Sequence, residues 1–240
     1  MSTVADHGII LRVRPYRETS VMVHWLTAES GRIATAVRGA RGPKSRLQGR
    51  LDLFLQADLI LRIREGSEVH SLGEVQVTDH HVALRRDFAS LAILAHAVET
   101  LEQVTEPGTP QPEVFEQFLG LVHHLEVSGP RPRAVYAWEL RFLATQGLDP
   151  GELLVGPGFR QTGGTLHAAL LETGWEELGA ITAGSAEIRA LDRGLASFWT
   201  RQFGRLPKSR KPALEAARAA AGGVVEPHPD SGSDGKSPDA

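Results

Sequence analysis

The hydrophobic pattern of the chain changes period near His81, and that change limits the folds open to it more than any other feature. Upstream, from Gly8 to Val77, apolar and polar residues alternate over short stretches: GIILRVR, SVMVHWLT, RIATAVR, the long LDLFLQADLILRIR and EVHSLGEVQV. Glu-Ser-Gly, Gly-Pro and Glu-Gly-Ser breaks separate them, so five strands are expected. In the long one, Leu51, Leu53, Leu55, Ala57, Leu59, Leu61 and Ile63 fall on one face, and only Phe54 and Ile60 interrupt the polar residues of the other.

Such a set, with one long strand able to bend and pair on both sides, suits a Greek-key barrel of the oligonucleotide-binding (OB-fold) class; a small sandwich satisfies the same pattern. Downstream, Phe88, Leu91, Leu94, Ala95, Val98, Leu101 and Val104 recur at helical spacing and stop before Pro107. A second helix follows Pro112 through Val114, Phe115, Phe118, Leu119, Val122 and Leu125 to Gly129-Pro130. A third carries Val135, Trp138, Leu140, Phe142 and Leu143 and stops at Gly147, a C-terminal glycine cap. Ser185 to Phe203 is helical again through Ile188, Leu191, Leu195, Phe198 and Trp199. The expected class is α+β and multidomain: a barrel over 1–80, a helical domain over 81–148, a glycine-rich insert over 149–184, a C-terminal helix and basic cluster over 185–221 that completes the helical domain, and a disordered tail over 222–240.

The net charge of −3 supplies no general attraction to a polyanion, so nucleic-acid binding requires charge segregated along the chain. It is segregated. Between Arg32 and Arg50 lie Arg32, Arg38, Arg41, Lys44, Arg46 and Arg50 with no acidic residue, on a stretch whose glycines and Pro43 read as a loop. Arg12 with Arg14, and Arg62 with Arg64, each share one face of a strand by the period of two. Arg205, Lys208, Arg210 and Lys211 form a second cluster, which could equally complement the C-terminal dipole of the helix before it. All fourteen are candidate DNA-binding residues. Aromatic stacking partners are few: Tyr16, Trp25 and Phe54, each as fit for the core as for a platform. The middle, Asp87 to Asp149, is acidic and is not expected to face DNA.

Catalytic patterns fail on residue type. GARGPKS has Pro43 where a phosphate loop needs glycine, and GPGFRQTGG lacks the dinucleotide spacing. His80-His81 and His123-His124 are adjacent pairs, which suit surface or capping roles, and no Ser/His/Asp arrangement stands out. No catalytic residue and no cofactor are expected. The N-terminus has no secretory pattern and no apolar run nears the roughly 20 residues that span a bilayer, so a cytoplasmic, nucleoid-associated protein is expected.

Gly8-Ile9-Ile10-Leu11, Tyr16-x-Glu18-Thr19-Ser20, Thr27 with Gly31-Arg32, Arg38-Gly39-Ala40-Arg41 and Lys44-Ser45-Arg46 resemble, in order and spacing, the N-terminal signature of the RecO recombination mediators. Gly204-Arg205-Leu206-Pro207-Lys208-Ser209-Arg210 is similar to the family's C-terminal Lys-Ser-Arg motif, so the resemblance covers about residues 5 to 215. It implies an oligonucleotide-binding barrel, a helical domain and an inserted zinc segment in a protein that binds single- and double-stranded DNA and promotes annealing. It also implies RecR and the single-strand-binding protein as partners and a role in loading RecA. Many relatives carry a four-cysteine zinc site after a Gly-x-x-Pro turn, here Gly147-Leu148-Asp149-Pro150, but this chain has no cysteine and His167 is the one imidazole in the segment, so no metal is expected. A metal-free loop and hairpin is expected there, supported by Leu153, Leu154, Val155 and Leu166 to Leu171. The competing readings are a protein–protein adaptor and an RNA-binding barrel.

Overall fold

The computed structural model describes residues 2–42, 45, 47, 51–148, 150–153 and 164–222. Strands β1 (Ser2–Tyr16), β2 (Ser20–Thr27), β3 (Gly31–Val37), β4 (Gln56–Ile63) and β5 (Val69–Asp79) close a barrel in the order β1-β2-β3-β5-β4. Only the β3–β5 seam is parallel. Alternation fills the interior with Ile10, Val21, Val23, Trp25, Ile33, Leu59 and Leu61. The buried indole of Trp25 donates to Thr35 Oγ1 at 2.9 Å, so neither polar group is left unsatisfied.

Within the stretch Leu51 to Arg64, β4 pairs with β1 on one edge and β5 on the other, as expected, but the longest strand of the barrel is β1, which changes partner along its length. Its first half, from Ser2 to Ile9, pairs with β4, and its second, from Gly8 to Tyr16, with β2. The register slips between Ile10 and Arg12, a bulge of the kind that increases twist and lets a strand turn a barrel corner. The alternation expected over Leu51 to Leu55 fails because Phe54 adopts φ +61° and sends its ring into the helical core, while Leu53 is left 39% exposed.

The helices are α1 (Val82–Arg86), α2 (Phe88–Val104), α3 (Pro112–Ser128), α4 (Pro132–Thr145), α5 (Pro150–Leu153), α6 (Gly164–Glu172), α7 (Ser185–Phe203) and α8 (Arg210–Gly222), with a 3-10 turn over Glu176–Ala180. Asp87 caps α2 by accepting from Ser90 N–H at 2.8 Å, and prolines open α3 and α4 where no helical N–H is lost. Helix α4 ends as expected: Gly147, at φ +70°, donates to Ala144 O, and Leu148 N–H reaches Leu143 O. Phe118 and Phe142 pack edge-on and stacked against Trp138, whose indole donates to Thr100 Oγ1 at 2.9 Å.

Three expectations change. Leu166 to Leu171 lie on α6, not in a hairpin. The basic cluster runs into a further helix, α8, which Arg210 and Lys211 open and whose small buried residues Ala213 and Ala217 bring it close against α2. Because α8 covers a second face of α2, the buried set there is Ile93, Leu94, Ala97, Val98 and Leu101 with His96 and Thr100, while Ala95 is exposed and Phe88 is 77% exposed. The tail expected over 222–240 lies outside the described residues apart from Gly222. No helix among the described residues is long and apolar enough to cross a membrane.

Barrel and helices share one core, since Ile9, Leu11, Leu26 and Phe54 belong to the helical cluster. Gly31 sits at this junction with φ +68°, and a Cβ there would lie 2.0 Å from the carbonyl oxygen of Thr109 in the α2–α3 loop. Both its conformation and its neighbour require glycine.

Candidate nucleic-acid interface

At one end of the barrel the β1–β2 turn, the end of β3 and the β4–β5 loop enclose a groove of about 730 Å³. OB folds commonly present this combination of loops to oligonucleotides. Arg17, Arg38 and Arg64 line it, with Glu18 as the one carboxylate among its lining residues and Tyr16 at its edge. Two segments about twenty residues apart in sequence build its wall together: Arg41 N–H donates to Thr19 O at 3.0 Å, tying Arg38-Gly39-Ala40-Arg41 to Tyr16-x-Glu18-Thr19-Ser20. Gly39, at φ +69°, makes the turn that allows this. On the far wall Arg64 N–H reaches His70 Nδ1 at 3.3 Å, and burial lowers the His70 pKa, so the charge of the groove is carried by guanidinium groups.

A neighbouring hollow of about 370 Å³ runs along the outer face of β2 and β3, lined by Arg14, His24, Arg32 and Glu102. His24 lies below its ordinary pKa through burial and the nearby charge of Arg14. A larger hollow of about 890 Å³ on the β1–β4–β5 side is lined by Asp6, Asp58 and Glu74, carboxylates that repel phosphate, so its size does not make it the better candidate.

The fourteen residues singled out from sequence therefore separate. Arg38 and Arg64 line one groove, Arg41 is exposed at its border, and Arg14 lies in the adjoining hollow. Arg62 is exposed on β4 opposite Ser71. Lys44, Arg46 and Arg50 lie outside the described residues. Arg12 and Arg32 hold the barrel to α2. Arg12 forms a two-pronged pair with Glu102, at 2.5 and 2.8 Å, and the bond to Glu102 raises its pKa. Arg32 donates to Thr105 Oγ1 and O at 2.6 Å each, and burial lowers its pKa. Both spend their hydrogen bonds on the protein. Arg210 is a correction: only 4% exposed, it bonds Glu139 at 2.8 and 3.2 Å and Asp192 at 2.8 Å, and cannot reach a phosphate without unfolding α8.

Arg205, Lys208 and Lys211 are exposed, the last 3.8 Å from Glu215. Glu99 on α2 accepts from the backbone N–H of Lys208 and Ser209 at 3.0 and 2.8 Å, one turn from the Glu102 that holds Arg12. The acidic middle thus clamps basic residues from both ends of the chain.

The same clamp brings Ser209 Oγ to 3.2 Å from His96 Nδ1, and His96 Nε2 to 3.1 Å from Glu139 Oε1, a Ser-His-acid line that the sequence did not reveal. The hydroxyl is engaged by Glu99 and His96 is fully buried, so the line fastens α8 and offers no nucleophile. His124 is buried too, its Nδ1 2.7 Å from Trp175 O, and His81 is buried at the N-cap of α1. In the insert, buried His167 is the single imidazole of a segment without cysteine, and the described residues hold no group of three or more metal-ligating side chains; this donor set does not fit a tetrahedral zinc site.

Arg17 was missed by the sequence reading because Glu18 beside it cancels its charge in any window average. The turn geometry, not the composition, puts it in the groove.

Residues 1–81 match the family model described as Recombination protein O N terminal, and residues 85–151 match Recombination protein O C terminal. The chain belongs to the RecO family. It is 34% identical over 150 residues to the DNA repair protein RecO of Anaeromyxobacter sp. (strain K), a match covering 62% of this chain and 59% of that protein. To the DNA repair protein RecO of Bacillus subtilis (strain 168) it is 29% identical over 168 residues, 70% of this chain and 65% of the relative. The match to the Myxococcus xanthus protein of the same name, 31% identical, covers 61% of its length. Each match spans less than two thirds of the relative. Both groove-building motifs fall inside the RecO N-terminal match.

Proposed function

We propose that this RecO-family chain is a DNA-binding recombination mediator in DNA repair, and that the groove between the β1–β2 turn, the end of β3 and the β4–β5 loop holds the phosphate backbone. The observation that carries the reading is the convergence of Arg17, Arg38 and Arg64 on one groove of a chain whose net charge is −3. Guanidinium groups on loops contact phosphates without reading sequence, which suits a protein that must accept any strand. Arg41 and Arg14 extend the cationic surface, and Lys44, Arg46 and Arg50 belong to the same acid-free run of sequence.

In this reading the protein binds single- and double-stranded DNA and promotes annealing by neutralising two polyanions at once. Exposed Arg205 and Lys208, held against α2, offer the second cationic surface, with Lys211 beyond them. No catalytic step is required. The family resemblance supplies RecR, the single-strand-binding protein and RecA as protein partners. A titration of oligonucleotide binding against salt tests the groove. Changing Arg17, Arg38 and Arg64 together to Ala lowers the slope of log K against log salt by about 2 for single strands, at roughly 0.7 per phosphate. An unchanged slope removes the groove from the DNA surface.

A further inference from the structure

The barrel has three aromatic residues that could meet a base, and the structure separates them. Trp25 is fully buried and bonded to Thr35, and Phe54 is 3% exposed in the helical core. Tyr16 is 37% exposed and borders the cationic groove where β1 ends. Its neighbour Arg17 lies in the left-handed region at φ +57°, a conformation that side chains other than glycine rarely adopt. That turn brings the Arg17 guanidinium over the Tyr16 ring, 5.3 Å from its centroid. A cation on one face of the ring leaves the other for a flat π system, and Arg38 and Arg64 line the same groove.

Resting on the reading of the groove as a DNA site, we propose that Tyr16, covered by Arg17, is a stacking platform for one unpaired base, and that it gives the groove a preference for single strands. A base within a duplex has both faces covered by its neighbours and cannot lie on the ring. The phosphates of either form can meet the arginines. Discrimination therefore resides in Tyr16 and overall affinity in the arginines.

The test uses the full chain with three probes of equal length: oligothymidylate, a chain of abasic sites, and a duplex. Wild type prefers oligothymidylate to the abasic chain by about fivefold or more, the range of one base stacked on an aromatic ring. Tyr16→Leu brings that ratio to about one and costs oligothymidylate far more affinity than it costs the duplex, and Tyr16→Phe keeps the ratio. A wild-type ratio of one, or a ratio that survives in Tyr16→Leu, overturns the platform while the salt slope still speaks for the groove. Loss of salt-dependent binding to all three probes overturns the groove reading and the platform with it. If Tyr16→Leu does not fold, photo-crosslinking of wild type to an iodouracil-bearing strand decides: an adduct at Tyr16 supports the platform, and adducts only at other residues overturn it.

Discussion

Arg210 donates from Nε to Glu139 Oε1 at 2.8 Å, and this pair joins the start of α8 to the middle of α4 with both side chains out of solvent. Burial opposes both charges, yet Glu139 and Asp192 raise the Arg210 pKa, and Arg210 and His96 lower that of Glu139. Removing one partner leaves the other charged and unpaired in the interior. Arg210→Ala is expected to destabilise the protein by about 3–5 kcal/mol in denaturant unfolding. The double change Arg210→Met, Glu139→Leu should recover much of that loss, because it removes both buried charges. Neither variant, where folded, should alter the salt slope of DNA binding.

Glu99 makes the clamp sensitive to acid. Burial would raise its pKa, but the bonds from Ser209 and from the backbone of Lys208 prevail and hold it below the ordinary 4.5. A carboxylate whose folded pKa is depressed contributes stability that is complete above the unfolded value and is lost as pH falls through the folded one. Unfolding measured from neutrality into acid should therefore show wild type losing stability below about pH 4.5 more steeply than Glu99→Gln. Parallel curves would mean that Glu99 does not hold the Lys208–Ser209 segment in solution.

The strands and four long helices were legible because each has one buried face and a clean period: Val21, Val23 and Trp25 on β2, or Leu191, Leu195 and Phe198 on α7. Helix α8 was not, since its buried residues are Arg210, Ala213, Leu214 and Ala217, of which Leu214 alone carries a strong signal in a hydrophobic pattern. Phe54 showed in the sequence as an interruption of the alternation, but no pattern of letters shows that a positive φ turns its ring into the core beside the helices. At the site, the sequence located cationic segments but not their partners. Arg38 and Arg210 look alike as letters in basic runs, and only the fold puts Glu139 and Asp192 against Arg210 and leaves Arg38 facing a groove.

Gly31 and Gly39 share a left-handed backbone and differ in their surroundings, which makes them a matched pair. A Cβ on Gly31 meets Thr109 O at 2.0 Å, whereas one on Gly39 meets nothing within 4 Å. Gly39→Ala should cost about 1 kcal/mol, the conformational penalty alone. Gly31→Ala should cost about 2–4 kcal/mol, since the backbone of the α2–α3 loop must also move away from the barrel. Thermal melts of the two variants side by side separate conformation from contact, and equal shifts would show that the loop yields freely.

Arg17 offers the sharpest separation of stability from function. Its φ of +57° costs a residue with a Cβ about 1 kcal/mol that glycine would not incur. Its side chain makes no salt bridge that would repay this among the described residues; its contact is the Tyr16 ring, and it is exposed. A strained arginine where glycine would cost less points to a use for its guanidinium. Arg17→Gly should therefore raise stability by up to about 1 kcal/mol, less whatever chain entropy glycine adds to the unfolded state. It should also weaken oligonucleotide binding and lower the salt slope by about 0.7, the share of one phosphate. Arg17→Lys, which keeps the charge and the strained backbone, should retain the slope and show no gain in melting temperature. A variant Arg17→Gly that bound DNA as tightly as wild type would leave the strain without a purpose in the groove.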